Sequence, residues 1–583
     1  MDDAGLTPAE IEAAVRRYLA RVARRYAPLV VGLVVLLLVV TLVPTVSPKD
    51  QSAASGSAAG RGSGVSATAG AKVEAGSQTA TTVGGGPAAL AGAAVGTGGG
   101  GPLPAGITPP AAADSKGVAR SGVTCGPGVR QVPWSVYAPL CVPSYAGNNG
   151  DATSHGVNAS TVTAVFRRTN SAEEKAAFAA VGDAAPGTDD QYLSDLRTYV
   201  DYFNATFELY GRKLVVKDFN GQGDNLEEDQ GRNLQGAQAD AATARNLGAF
   251  MDLSSSPTLA STQPYEENLA HEKVIAIGAV GLPKSWMKQY APYEYTIFPA
   301  DGSKQAQATI HAVCQRMWHL PATFAGDPTY ALKNRAFGLV TPDNPVYTQF
   351  GDEVEQGIKA ECGGALAKKV RYSINVATME QQSVGIVAQL HAANISTVIC
   401  VCDPVVEIFI SHTADSQNYG PEWIATPWLD PQGRQLSQTQ WAHAMSIQGS
   451  WADKAHDEAY KVFKLIKPTA EPAEQYYAEA YWTALYVFTA LQNAGPNLNP
   501  STFQQGVFGF VKSGPGPYGT WGGGPDAFSP ALDIHIGYWD PNAVSNFDGK
   551  KGGWTSCDGG TWFPFDDPSK WGPAHTQFHC FGK

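Results

Sequence analysis

A two-lobed α/β protein with a parallel sheet in each lobe is what this 583-residue sequence predicts. Three observations lead there. From about residue 118 onward, short apolar runs alternate with helix-period segments, the pattern of βαβ units. The alternation starts afresh near residue 336, which implies a second α/β set after the first. Everything before residue 118 has a composition that cannot build a core, so the packed part is confined to the remainder.

The chain begins with a basic amphipathic segment, 7–25, carrying Arg16, Arg17, Arg21, Arg24 and Arg25. Residues 27–47 follow with no charge and a dominance of Val and Leu. About 20 apolar residues match the ~30 Å hydrocarbon core of a bilayer. Five arginines before the run and few charges after it place residues 1–26 in the cytoplasm. The long basic lead and the lack of a prompt small-x-small site favour a retained signal anchor over a cleaved signal peptide. Residues 48–117 are Gly, Ala, Ser and Thr with scattered Pro, which predicts a disordered linker of about 45 Å root-mean-square span.

None of the eight cysteines precedes Cys125, which suits an oxidising compartment beyond the span. Cys125 with Cys141, and Cys557 with Cys580, bracket short Pro/Gly-rich loops and are expected as disulfides; Cys314 with Cys362 is a further candidate. Cys400 and Cys402 face one side of an expected strand and read as buried free thiols.

The first set of strands is expected at 160–166 (STVTAVF), 213–219 (KLVVKDF), 248–253 (GAFMDL) and 273–278 (KVIAIG), with helices at 191–209 and 235–246 between them. The second set is expected at 336–341 (AFGLVT), 370–375 (VRYSIN), 397–402 (TVICVC) and 423–426. The interface between two such lobes is the natural ligand site. This gives a preface at 118–156, lobe 1 at 157–302 with a return at about 445–520, and lobe 2 at 303–444 with a C-terminal segment at 533–583.

Local motifs in this order resemble the type I periplasmic-binding family, in particular the branched-chain amino acid receptors of ABC transporters, over about 155–545. Residues 199–219 (YVDYFNATFELYGRKLVVKDF) resemble the family's first helix, its Gly-Arg-Lys turn and second strand. Residues 253–267 (LSSSPTLASTQPYEE) resemble the Ser-rich loop and the helix after it, 296–307 the segment crossing into the second lobe, and 337–350 (FGLVTPDNPVYTQF) that lobe's first strand and helix start. The late Tyr-rich helix at 478–491 and the last strand at 534–540 (IHIGYWD) complete the series, and 124–133 (TCGPGVRQVP) resembles the preface of actinobacterial receptors.

The resemblance implies a ligand-binding role for Ser254, Ser255 and Ser256, whose hydroxyls and N–H groups would cradle a carboxylate. It implies positions at the ligand for Ala279, Val280, Tyr347, Asp403, Trp428 and Asp430. Val280 replaces the hydroxyl usual in the family, and Trp428 stands where an ammonium-binding acid is usual, with Asp430 two residues later. Asp403 also has the alternative of capping the next helix.

Asp218, Asn220, Gln222, Gly223 and Asp229 distantly echo a calcium loop but read as a polar loop after a strand. His311, Cys314 and His319 read as a structural helix, and no metal or cofactor is expected. No nucleophile, base or P-loop motif stands in a supporting context, so an enzyme is not expected. A net charge of −12 argues against nucleic acid. What remains is a single-pass, membrane-anchored solute-binding protein delivering a small polar or amphipathic ligand to an ABC permease, with a sensing or scaffolding ectodomain as the alternative.

Overall fold

The computed structural model describes residues 116–169, 189–254, 262–278, 281–297, 300–426, 430–448, 454, 457–473, 477–546 and 548–582. The 27–47 span, the segment before it and nearly all of the linker lie outside them. Among the described residues no helix is long and apolar enough to cross a membrane.

The preface opens with an antiparallel pair, β1 (Gly117–Val118) and β2 (Thr124–Cys125), closed by the Cys125–Cys141 disulfide. Tyr137 then seats the preface on lobe 1. Its ring stacks on Trp521 at 4.5 Å and its hydroxyl donates to the Gly519 carbonyl at 2.7 Å.

Lobe 1 holds a parallel sheet of β3 (Thr161–Arg168), β4 (Lys213–Asn220), β5 (Met251–Asp252), β6 (Ile275–Ile277) and β7 (Glu294–Tyr295), in the order β4-β3-β5-β6-β7. Helices α1 (Asp189–Thr206), α2 (Asn225–Asp229), α3 (Leu234–Asn246), α4 (Gln263–His271) and α5 (Lys284–Gln289) connect the strands. Strands β5 and β6 are buried throughout, as a sheet covered on both faces requires. On α3, Ala237, Ala241 and Ala244 make a stripe at helical spacing that packs with Val165 and Ala276 of the sheet.

Lobe 2 begins with α6 (Gly302–Arg316), N-capped by Asp301, which accepts from the Lys304 N–H at 3.0 Å. There follow β8 (Phe337–Pro342), α7 (Pro345–Glu361), β9 (Lys368–Tyr372), α8 (Val376–Ala392), β10 (Thr397–Cys400), α9 (Pro404–Ser416), β11 (Glu422–Ala425), the short α10 (Asp430–Gly433) and α11 (Gln438–Trp441), and β12 (Ala444–Gln448). The chain then supplies α12 (Glu458–Ile466), α13 (Tyr477–Ala494), α14 (Pro500–Phe508), β13 (Ser513–Gly516) and β14 (Gly519–Trp521), and residues from all of them pack in or against the lobe-1 core. Helix α13 is buried almost end to end, its Tyr481, Trp482 and Phe488 packing among the aromatics of α1 and the preface. Finally β15 (Asp533–Val544) pairs antiparallel with β12, and β16 (Lys551–Ser556) and β17 (Trp562–Pro564) pair with β15, giving the order β16-β15-β12-β11-β10-β8-β9.

The five parallel strands of each lobe therefore run 2-1-3-4-5 by chain order. The crossings between lobes are tied together. Thr296 donates its N–H to the Phe528 carbonyl at 3.0 Å, and the Lys304 ammonium donates to the carbonyls of Ser529 at 2.8 Å and Ala531 at 2.7 Å.

All eight cysteines are paired: Cys125–Cys141, Cys314–Cys362, Cys400–Cys402 and Cys557–Cys580. The third pair corrects the expectation of free thiols. Side chains two apart on a strand point to the same face, and Cys402 lies just beyond the last residue of β10, where the pair can close on itself.

Candidate functional site

In an open parallel α/β sheet, ligands sit outside the carboxyl ends of the strands where the strand order reverses. That point falls between β3 and β5 in lobe 1 and between β8 and β10 in lobe 2.

At the lobe-1 point the side chain of Arg167 is completely buried. A guanidinium out of water needs compensating charge, and the chain provides it. Arg167 donates to both Glu228 oxygens, at 2.9 and 3.0 Å, and to Asp240 at 3.3 Å, while its plane lies 3.9 Å over the Tyr265 ring. The Gln222 and Gly223 N–H groups also donate to Asp240, at 2.7 and 2.9 Å. Position 223 must be glycine for this approach, because a Cβ there would lie 2.0 Å from a Glu228 oxygen. The loop that echoed a calcium site thus wraps an internal carboxylate, and its Asp218 pairs with Arg168 and Arg197 instead.

Deeper in the same region, the Tyr265 hydroxyl donates to Asp252 at 2.8 Å, and the Thr262 hydroxyl donates to Glu228. Across the sheet the register sets Asp252, Ala276 and Glu294 side by side. Burial drives the Glu294 carboxyl well above the usual carboxylate range, and the neighbouring acid of Glu266 adds to the shift. Burial also raises Asp252. The carboxyl ends of the lobe-1 strands are therefore rich in acid.

A cavity of about 560 Å³ adjoins this edge, lined by Asp190, Ser194, Asp195, Lys454, Glu471 and Ala473 among others. Asp190 pairs with Arg168, the last residue of β3, at 2.6 Å. Burial pushes Asp195 up to about 6, and its carboxylate accepts from the Ala473 N–H at 2.7 Å.

At the lobe-2 point, the Tyr372 hydroxyl donates to Asp403 at 2.6 Å, and Asp403 caps α9 by accepting from the Val405 and Val406 N–H groups at 2.9 and 3.0 Å. Glu407, one turn into α9 and fully buried, accepts from the Thr426 N–H at 2.9 Å.

The carboxyl edges of the two lobes touch. Asn344, the N-cap of α7 in lobe 2, donates to the Asp229 carbonyl of lobe 1 at 2.9 Å, and Gln349 donates to the Ser285 hydroxyl at 2.7 Å. Leu226 of α2 packs against the lobe-2 core, and Tyr347 packs against the cores of both lobes. Burial, with Asp229 and Glu266 nearby, holds the Tyr347 hydroxyl well above its ordinary value.

Of the residues singled out from sequence, Tyr347 stands at the junction of the lobes and Ser254 at the lobe-1 switch point. The Ser254 hydroxyl accepts from the Arg167 N–H at 2.7 Å. Asp403 is the α9 cap described above. Asp430 opens α10 in a buried position and accepts from the Trp554 N–H at 3.1 Å, next to β16. Ser255, Ser256, Ala279, Val280 and Trp428 lie outside the described residues. Sequence reasoning missed Arg167, Glu228, Asp240, Asp252 and Glu294. A charged pair, Arg167–Arg168, closing an apolar strand was the available signal.

No protein-family model matches the chain, and no curated protein matches it in sequence. Solved structures do match in shape. The leucine-, isoleucine-, valine-, threonine- and alanine-binding protein of Brucella ovis, in its closed conformation, is similar with a TM-score of 0.50 at 15% identity, over 72% of this chain and 98% of that one. A solute-binding protein of an ABC transporter from R. palustris, in complex with 4-hydroxybenzoate, gives 0.48 at 13% identity over 70% of this chain and 98% of its own. A periplasmic binding protein from Burkholderia mallei gives 0.49 at 12% over 70% and 96%. Two parallel sheets of matching strand order, tied crossings between them and the likeness to the Brucella ovis protein establish the type I periplasmic-binding fold for the described part of the chain.

Proposed function

We propose that this chain is a membrane-anchored, extracytoplasmic solute-binding protein, without a catalytic step, that takes a small polar or amphipathic solute between its lobes and presents it to a separate ABC permease. The observation that carries this reading is the meeting of the two carboxyl strand edges through Asn344, Tyr347 and Leu226. Lobes joined by a hinge and touching at these edges are arranged to close over a guest. The amino acid and 4-hydroxybenzoate receptors of the same fold make amino acids, amides and short acids the first solutes to try. Acid groups outnumber basic ones around the cavity, which favours solutes that carry hydrogen-bond donors. The anchor is supported by the uncharged 27–47 run behind five arginines.

The test is a thermal-shift screen of the full-length protein in mild detergent against amino acids, amides, short acids and aromatic acids. A solute held at 1,000 times its Kd stabilises the folded form by about 4.1 kcal/mol, so the melting point rises with its concentration. A flat response to every class would overturn the uptake reading in favour of a sensing or scaffolding ectodomain.

A further inference from the structure

The C-x-C disulfide lies at the lobe-2 switch point, beside the junction of the lobes, and nothing in the solute reading requires it. Cys400 is the buried last residue of β10, and Cys402 is half-buried two residues on. The two sulfurs and a carboxylate oxygen of Glu407 lie within 4.8 Å of one another. Two supports hold the carboxylate. Asp403 fixes the start of the helix that carries Glu407, and the Thr426 N–H at the end of β11 bonds to Glu407 directly. Preset outer partners of this kind orient metal ligands. Two sulfurs and one oxygen make a soft set, suited to a thiophilic divalent cation.

We propose that Cys400, Cys402 and Glu407 form a redox-gated site for a thiophilic divalent cation such as Zn²⁺, closed in the disulfide form and competent in the dithiol form. A dithiol reductant opens it. One of its thiolates attacks a cystine sulfur, the S–S bond breaks, and the reductant leaves as its own disulfide. Cys400 and Cys402 take up two electrons and two protons. The cation then displaces both protons, binds the two thiolates and the Glu407 carboxylate, and keeps a fourth position for water or a donor atom of a solute. Chain connectivity favours this disulfide for opening without unfolding. Its cysteines are separated by 2 residues, against 16, 48 and 23 in the others, so its constraint on the unfolded chain is the smallest.

The test uses the full chain, treated with dithiothreitol and desalted without oxygen, then titrated with Co²⁺ alone. Exposed thiols are mapped by alkylation and peptide mass. The reduced protein is expected to bind a single Co²⁺ with a sulfur-to-metal charge-transfer band that Zn²⁺ abolishes, while the oxidised protein shows no band. Cys402→Ser removes the band. Glu407→Gln, which keeps both cysteines and so remains informative if Cys402→Ser fails to fold, weakens binding by at least the roughly 10- to 100-fold seen for supporting residues. A reduced protein without the band, first alkylation at cysteines other than Cys400 and Cys402, or unchanged affinity in Glu407→Gln would each overturn the proposal. No solute enters the measurement, so the outcome is independent of the uptake reading.

Discussion

Replacing Arg167 by Met should unfold lobe 1 far more readily than the loss of a surface charge would. Arg167 and Glu228 are fully buried, and the cation makes two bonds to Glu228 at 2.9 and 3.0 Å, one contact to Asp240 at 3.3 Å and a ring contact to Tyr265 at 3.9 Å. Exposed pairs are worth about 0–1 kcal/mol, whereas breaking a buried pair strands an uncompensated charge at a cost of about 3–5 kcal/mol. Arg167→Met strands two acids, so a loss of about 4 kcal/mol is expected from urea unfolding followed by tryptophan fluorescence. Adding Glu228→Gln relieves one of them, so the double variant should recover part of the loss, with a coupling of about 0.5–3 kcal/mol. A loss below ~1 kcal/mol, or Glu228→Gln costing the same with and without Arg167, would refute the idea that this network is one interdependent unit.

Three further perturbations follow from the same structure. Burial takes the His535 imidazole from 6.5 down to about 3, so the unfolded chain binds the extra proton and stability falls as pH drops through that window. At about 1.36 kcal/mol per unit, the step from pH 6.5 to 4.5 should cost about 2.7 kcal/mol through His535. His535→Asn should flatten that part of the urea-midpoint profile, and parallel profiles would contradict the assignment. Gly156→Ala should destabilise by more than ~2 kcal/mol in thermal melts, because φ is +74° and the new Cβ would lie 2.3 Å from the Phe250 nitrogen. Tyr347→Ala removes a ring shared by both cores and should raise the radius of gyration in small-angle scattering by freeing the lobes to part; an unchanged radius would show that Tyr347 does not hold them together.

The alternation of strands was legible because fully buried parallel strands must be apolar throughout. The expected 213–219 and 336–341 strands match β4 and β8 within a residue. Where the chain bends out of a sheet, apolar texture misleads. The run at 248–253 keeps only Met251–Asp252 as strand, and 397–402 stops at Cys400 to leave room for the disulfide. The ion network was illegible for another reason. Arg167, Glu228 and Asp240 are up to 73 positions apart, and no local pattern signals that three distant charges will be buried together. Tyr347 was found because a Pro-rich helix start is a local signal, while its contact with both lobes depends on how the lobes meet.

The preface has a mechanical consequence. Gln131 donates to the Thr206 carbonyl at 2.8 Å, Arg212 donates to the carbonyls of Asn149 and Asp151 at 2.5 and 3.2 Å, and Gln492 of α13 donates to the Leu140 carbonyl at 3.1 Å. A pull applied at Lys116 is therefore borne by the first lobe through many short bonds loaded together. The second lobe hangs from the first by its crossing segments, so it is the half left at liberty to swing.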